Sequence, residues 1–186
     1  MQQPNMSVKQ ILDGPSLLQK IRRISFQIYE NNFEEKEIII AGVIGEGFAL
    51  AKMLCAHIQE ISKLQAKAVE IHLNKEIPYE KPVSFDCSLD LFENKVIVVV
   101  DDVLNTGRTF SYSLAPFLSI PVKKIQVAVL VDRNYRKFPI SADYKGYELS
   151  TTLSEHVEVI ISDAKKKRRL FALRLPNLPS LICLAD

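Results

Sequence analysis

The chain has 186 residues, 47% of them apolar and 25% charged, a balance that excludes a disordered or fibrous polypeptide and suits one domain with its own core. Its net charge of +2 is unevenly placed, because residues 165–169 (KKKRR) are all cationic and leave the remainder net acidic. Nucleic acid is therefore not the expected main partner, and the basic run reads more simply as a solvated strand end or turn.

The opening residues, MQQPNMSVKQ, lack the apolar stretch of a secretory signal, and no segment approaches the ~20 apolar residues of a membrane span, so a cytoplasmic protein without a membrane partner is expected. Cys55, Cys87 and Cys183 are odd in number and far apart, which reads as reduced thiols and not as a disulfide framework or zinc site. Residues 16–30 (SLLQKIRRISFQIYE) place Leu17, Leu18, Ile21, Ile24, Phe26 and Ile28 at roughly helical spacing, closed by Asn31 and Asn32. A buried strand follows at 38–43 (IIIAGV), then the turn Gly45-Glu46-Gly47, and a second helix from 48 to 63 with Leu50, Met53, Leu54, Ile58 and Ile61 inward. Residues 68–73 read as another strand. Residues 74–90, with two prolines and no period, read as a mobile excursion carrying at most a short hairpin.

The strongest strand signal is VIVVV at 96–100, followed by a turn at 103–109, a helix at 109–118 and a strand at 125–131 (IQVAVLV). Continuous apolar strands alternating with helices predict a parallel sheet covered on both faces. The last third, with short strands at 144–147 and 157–161, is less regular and reads as an appendage. The fold class is thus α/β, a single-domain parallel sheet flanked by helices with a small hood of strands and loops. One domain spans 1–186, with its core at about 11–161 and a tail at 162–186.

The chemistry concentrates in VIVVVDDVLNTGRTF, residues 96–110. In an open α/β sheet, ligands bind at the carboxyl ends of the strands. Here a strand delivers Asp101 and Asp102 to that end, and a turn then leads into a helix whose exposed amides favour a phosphate. Thr106 and Thr109 add hydroxyl donors, and Gly107 lets the backbone close around an anion. Two carboxylates would repel the phosphate itself, so they suit a diol or a magnesium-bound water.

The segment VIVVVDDVLNTGRT resembles the ribose-5-phosphate signature of type I phosphoribosyltransferases: an apolar strand, two acids, two apolar residues, then x-T-G-x-T. Residues 130–159 (LVDRNYRKFPISADYKGYELSTTLSEHVEV) and 11–32 are similar to the bifunctional pyrimidine-operon attenuator and uracil phosphoribosyltransferase family. The resemblance implies that Asn105, Thr106, Gly107, Arg108 and Thr109 hold the 5-phosphate of phosphoribosyl pyrophosphate or of a nucleotide. It implies that Asp101 and Asp102 are the catalytic acids, contacting the ribose hydroxyls directly or through Mg2+-bound water. Gly45, Glu46 and Gly47 take the place of the pyrophosphate loop, while Asp132, Lys145 and Tyr147 frame the nucleobase. A homo-oligomer is expected for such a fold.

Three departures stand out. Glu46 puts an acid in a loop where the family carries cations. Lys75 stands where the family's mobile loop has an arginine, and a lysine cannot make the bidentate fork. Asn105 replaces an aspartate of the purine-salvage relatives, which disfavours purine chemistry. Two functions follow: a phosphoribosyltransferase acting on uracil or another pyrimidine, and a catalytically weakened sensor of nucleotide or phosphoribosyl pyrophosphate. The sensor would reach RNA through Arg133, Arg136, Lys137 and the basic run, a partner that the scarcity of such residues does not favour.

Overall fold

A computed structural model describes residues 7–149, 155–161 and 169–174. Strand β1 (Ser7–Leu12) precedes helix α1 (Gly14–Glu30), which begins earlier than the apolar spacing suggests. Asp13 caps it by accepting from the Ser16 amide at 2.9 Å, and Pro15 sits in the first turn, where a missing N–H leaves no bond unmade. Leu17, Ile21, Ile24 and Ile28 form its buried stripe. Phe26, expected inside, is 45% exposed, because two positions past Ile24 the helix has turned to its opposite face.

Strand β2 (Glu37–Val43) and helix α2 (Glu46–Ile61) follow, then β3 (Gln65–His72) and a two-residue β4 (Ser84–Phe85). Strand β5 (Val96–Leu104), the short helix α3 (Arg108–Leu114), β6 (Lys124–Asp132) and β7 (Tyr144–Glu148) complete a six-stranded sheet of order β4-β3-β2-β5-β6-β7. Every neighbouring pair is parallel except β3 with β4, so the excursion at 74–90 does return one short antiparallel strand. The helix expected over 109–118 gives way at Ala115 to a 3-10 turn (Ala115–Ser119) that contains Pro116.

Residues 144–147 are not an appendage. Strand β7 is the parallel edge of the main sheet, with Ala128 opposite Tyr144 and Asp132 opposite Glu148. The remaining strands, β8 (Glu155–Ile160) and β9 (Arg169–Arg174), build a separate antiparallel sheet of order β1-β9-β8. Strand β1 lies in a stretch with no strand signal, and it pairs antiparallel with β9, far along the chain. Arg169, the last cation of the KKKRR run, begins β9; residues 165–168 and the apolar tail at 175–184 lie outside the described residues.

Strict alternation along β2 and β5 sorts the core into two layers. Ile38, Ile40, Val96, Val98 and Val100 face α1 and α2, whereas Ile39, Ala41, Ile97 and Val99 face a cluster around Phe92, Phe110 and Phe117. Cys55 lies in the first layer, 7% exposed, and burial pushes its thiol up to about 12. At pH 8 it carries almost no thiolate, the reactive form. Alkylation at pH 8 followed by peptide mass mapping should modify the half-buried Cys87 long before Cys55, and Cys55 should react only once the protein is unfolded.

Candidate active site

The two acids are not at a strand end followed by a turn. Strand β5 continues through them to Leu104, because β6 runs alongside as far as Asp132 and pairs Asp101 with Val129 and Leu104 with Asp132. Asp101 is therefore almost wholly buried, 3% exposed, while the Asp102 side chain keeps partial exposure. Asp101 Oδ1 accepts from Lys75 Nζ at 2.9 Å and from the Asp102 amide at 3.0 Å, and Lys75 Nζ lies 3.9 Å from Asp102 Oδ1. Burial, then the charge on Asp102, pushes the Asp101 carboxyl well above the usual carboxylate range, against the pull of Lys75. Burial works against the charge of Lys75, but Asp101, Asp102 and, less, Glu46 outweigh it and hold its amine above the usual lysine value.

The glycine turn after β2 reaches the same place. Gly45, at φ +89°, precedes α2 with no side-chain cap, and Gly47 packs directly on β5. A Cβ on Gly47 would lie 2.7 Å from Asp101 Oδ1 and 3.0 Å from the Val100 carbonyl. Glu46 accepts the Ile161 amide at 2.8 Å, so its carboxylate engages the end of the hood strand.

The Asn105-Thr106-Gly107 loop leaves β5 and enters α3. Gly107 has φ +86°, a backbone region closed to most side chains, and a Cβ there would meet Phe138 O and Ile140 Cβ at 3.2–3.3 Å. The close approach that this glycine permits is thus to the 133–140 loop. That loop is fastened to the turn: Thr106 O accepts the Lys137 and Phe138 amides at 2.9 and 3.0 Å, and Asn105 Oδ1 accepts from Arg133 Nη1 at 3.1 Å. Lys75 and residues 103–110 line a cavity of about 240 Å³. Arg108 reaches back over the Tyr79 ring, 5.6 Å from its centroid.

The site residues named from the sequence fall into two groups. Gly45, Glu46, Gly47, Asp101, Asp102, Asn105, Thr106, Gly107, Arg108 and Thr109 gather at the carboxyl ends of β2 and β5. Asp132, Lys145 and Tyr147 lie further along the sheet. Asp132 is 2% exposed and engaged by Arg136 Nη2, at 2.6 Å to Oδ1 and 2.5 Å to Oδ2. Lys145 Nζ stands 3.9 Å from Asp132 and 2.9 Å from Glu148. Tyr147 has the Lys20 ammonium 5.9 Å from its ring centroid.

Three cations singled out from the sequence take a different place in the structure. Lys75 comes from the irregular 74–90 segment and fills the acid pair. Arg133, 7% exposed, and Arg136 turn inward, so two cations named for an RNA surface serve the interior of the site.

Among the described residues no group of three or more His, Cys, Asp and Glu could cage a metal ion unaided. Magnesium, however, is commonly held through one or two carboxylates together with substrate phosphates. Asp101 and Asp102 fit that role, since the Lys75 ammonium already marks the place where they attract a cation.

The match to the family model described as phosphoribosyl transferase domain covers residues 7–164. The bifunctional protein PyrR of Clostridium kluyveri is 35% identical over 163 residues, 84% of this chain and 92% of that protein. PyrR of Fusobacterium nucleatum is 32% identical, covering 90% and 99%. Among solved structures, the hypoxanthine phosphoribosyltransferase of Trypanosoma cruzi superposes with a TM-score of 0.73 at 16% identity, over 90% of this chain and 97% of that one. A hypoxanthine-guanine phosphoribosyltransferase of Bacillus anthracis gives 0.68 at 24%, over 91% and 99%. With its acid pair, glycine turn and Asn105-Thr106-Gly107 loop on this sheet, the chain belongs to the type I phosphoribosyltransferase family, alongside the PyrR proteins.

Proposed function

We propose that the protein transfers ribose 5-phosphate from phosphoribosyl pyrophosphate to uracil or another pyrimidine. The observation that carries this reading is Lys75, which pairs with Asp101 and lies 3.9 Å from Asp102 and also lines one cavity together with the 105–109 loop. The resemblance of residues 11–32 and 130–159 to the pyrimidine-operon attenuator and uracil phosphoribosyltransferase family supports the pyrimidine, whereas the hypoxanthine enzymes share only the fold at their level of identity. Asn105 also weighs against a purine, because a carboxamide cannot act as a base.

In this reaction a ring nitrogen of the base bonds to C1 of the ribose, the C1–O bond to pyrophosphate breaks, and the nitrogen's proton goes to solvent or to the leaving group. Positive charge grows on the sugar and negative charge on the pyrophosphate, so positioned electrostatics supply most of the acceleration. The 105–109 loop would hold the 5-phosphate and set the sugar. Asp101 and Asp102 would orient the ribose hydroxyls and hold magnesium, which when bound neutralises the leaving group. Lys75, close enough to turn from the carboxylates, would add charge beside the departing pyrophosphate.

Glu46 favours a second reading, a regulatory protein that senses nucleotide or phosphoribosyl pyrophosphate with little turnover, since an acid stands at the pyrophosphate loop. The inward Arg133 and Arg136 weaken its RNA-binding form. Incubation with uracil, phosphoribosyl pyrophosphate and Mg2+ should yield uridine 5′-monophosphate on chromatography. Absence of any nucleotide product with uracil, cytosine and orotate alike, with uridine 5′-monophosphate still bound in calorimetry, would select the sensor.

A further inference from the structure

Arg136 is three-quarters buried and spends its donors on three separate segments. Nη2 forks onto both oxygens of Asp132 at the end of β6, Nε donates to Ile140 O at 2.8 Å, and Nη1 reaches Asn105 O at 3.3 Å. Asp132 is fixed in turn by the Asn134 amide at 2.8 Å, at a residue whose φ of +54° starts the loop. The contact to Asn105 O matters because a trans peptide is planar, with its C=O and N–H on opposite sides. Holding Asn105 O towards Arg136 turns the Thr106 N–H the other way. Thr106 O is likewise held by the Lys137 and Phe138 amides, which turns the Gly107 N–H the same way. Two successive amides are thus directed away from the 133–140 loop, the arrangement that forms an anion-receptive concavity.

We propose that Arg136 is a positioning residue that aims the amides of the phosphate loop, and that the 133–140 loop serves as the back wall of the phosphate site. This rests on the phosphoribosyl reading of the site. It differs from a base-framing role for the Asp132 segment in what it predicts. Loss of Arg136 should weaken every 5-phosphate ligand by the same factor, whatever its base.

The test is calorimetric binding of ribose 5-phosphate, uridine 5′-monophosphate and inosine 5′-monophosphate to the wild type, Arg136→Lys and Arg136→Met, each checked by thermal melting. A lysine can still neutralise Asp132 but cannot fork to Asp132, Ile140 and Asn105 at once. Arg136→Lys should therefore keep much of the melting temperature and yet bind all three ligands about tenfold more weakly or worse, the scale of losing an orienting bond to a charged group. Arg136→Met, if it folds, should show the same uniform loss. Wild-type affinity in Arg136→Lys would overturn the proposal, because neutralising Asp132 would then be all that Arg136 does. A loss for uridine 5′-monophosphate with ribose 5-phosphate unaffected would overturn it in favour of base framing. Failure of the wild type to bind any of the three would instead remove the phosphoribosyl reading on which it stands.

Discussion

Gly47→Ala is expected to abolish phosphoribosyl transfer while leaving a folded protein. The added methyl would sit 2.7 Å from Asp101 Oδ1, 3.0 Å from Val100 O and 3.1 Å from Asp101 Cα. Two of these three atoms are backbone in the central strand, and Asp101 itself is buried, so neither side can yield cheaply. Relief must come from the first turn of α2, which would lift away from β5 and carry Gly45 and Glu46 with it. Overpacking of this kind costs about 1–3 kcal/mol, within reach of a domain of this size. The chemical consequence is larger, because an ångström of misplacement between reacting groups removes orders of magnitude in rate. The check is a denaturant melt beside a transfer assay: a modest loss of stability with activity down about a hundredfold or more. An active, equally stable variant would mean that α2 does not need its close seat on the acid pair.

Asp101→Asn should move stability and activity in opposite directions. In the wild type, burial and the neighbouring Asp102 raise the Asp101 carboxyl, so its ionisation works against the folded state. The sign follows from the raised value. Below the unfolded carboxylate range, near 3.9, both states hold the proton and the residue is neutral in effect. As pH rises from there towards the raised folded value, the unfolded chain loses its proton first and wild-type stability falls. Asparagine removes that loss, and Lys75, more than a third exposed, can turn to Asp102 only 3.9 Å away. The variant should melt higher than the wild type by a margin that opens above about pH 4, while transfer falls by two orders of magnitude or more. A lower melting point at neutral pH would show that the Lys75 ion pair outweighs both burial and repulsion.

The sheet was legible because VIVVV and IQVAVLV are short, mostly apolar runs rich in β-branched valine, which suit strands covered on both faces. The acid pair and Thr-Gly-x-Thr loop were legible for a related reason, being contiguous in the chain. What escaped depends on distance. Strand β1 has no local pattern of its own and exists through its pairing with β9, more than 150 residues away. Strand β7 is likewise placed by its neighbour β6 and by Gly146, where a Cβ would meet Leu130 O at 2.7 Å. Lys75 sits in a segment without periodicity, so nothing local ties it to carboxylates 26 and 27 positions later. Arg133 and Arg136 looked like surface cations because charge alone does not reveal burial; their partners, Asn105 and Asp132, had to be in place first. Asn105 and Thr106 were read as ligands for a phosphate, while their carbonyls turn out to be held by the 133–140 loop.

Pyrophosphate release from phosphoribosyl pyrophosphate and Mg2+, scanned across uracil, hypoxanthine, guanine, adenine and orotate, is the measurement that bears most directly on the proposed activity. Release that depends on uracil, and is weak or absent with the purines, is the expected result. No release with any of the five bases, from a protein that still binds uridine 5′-monophosphate, would contradict the enzyme and leave the nucleotide sensor in its place.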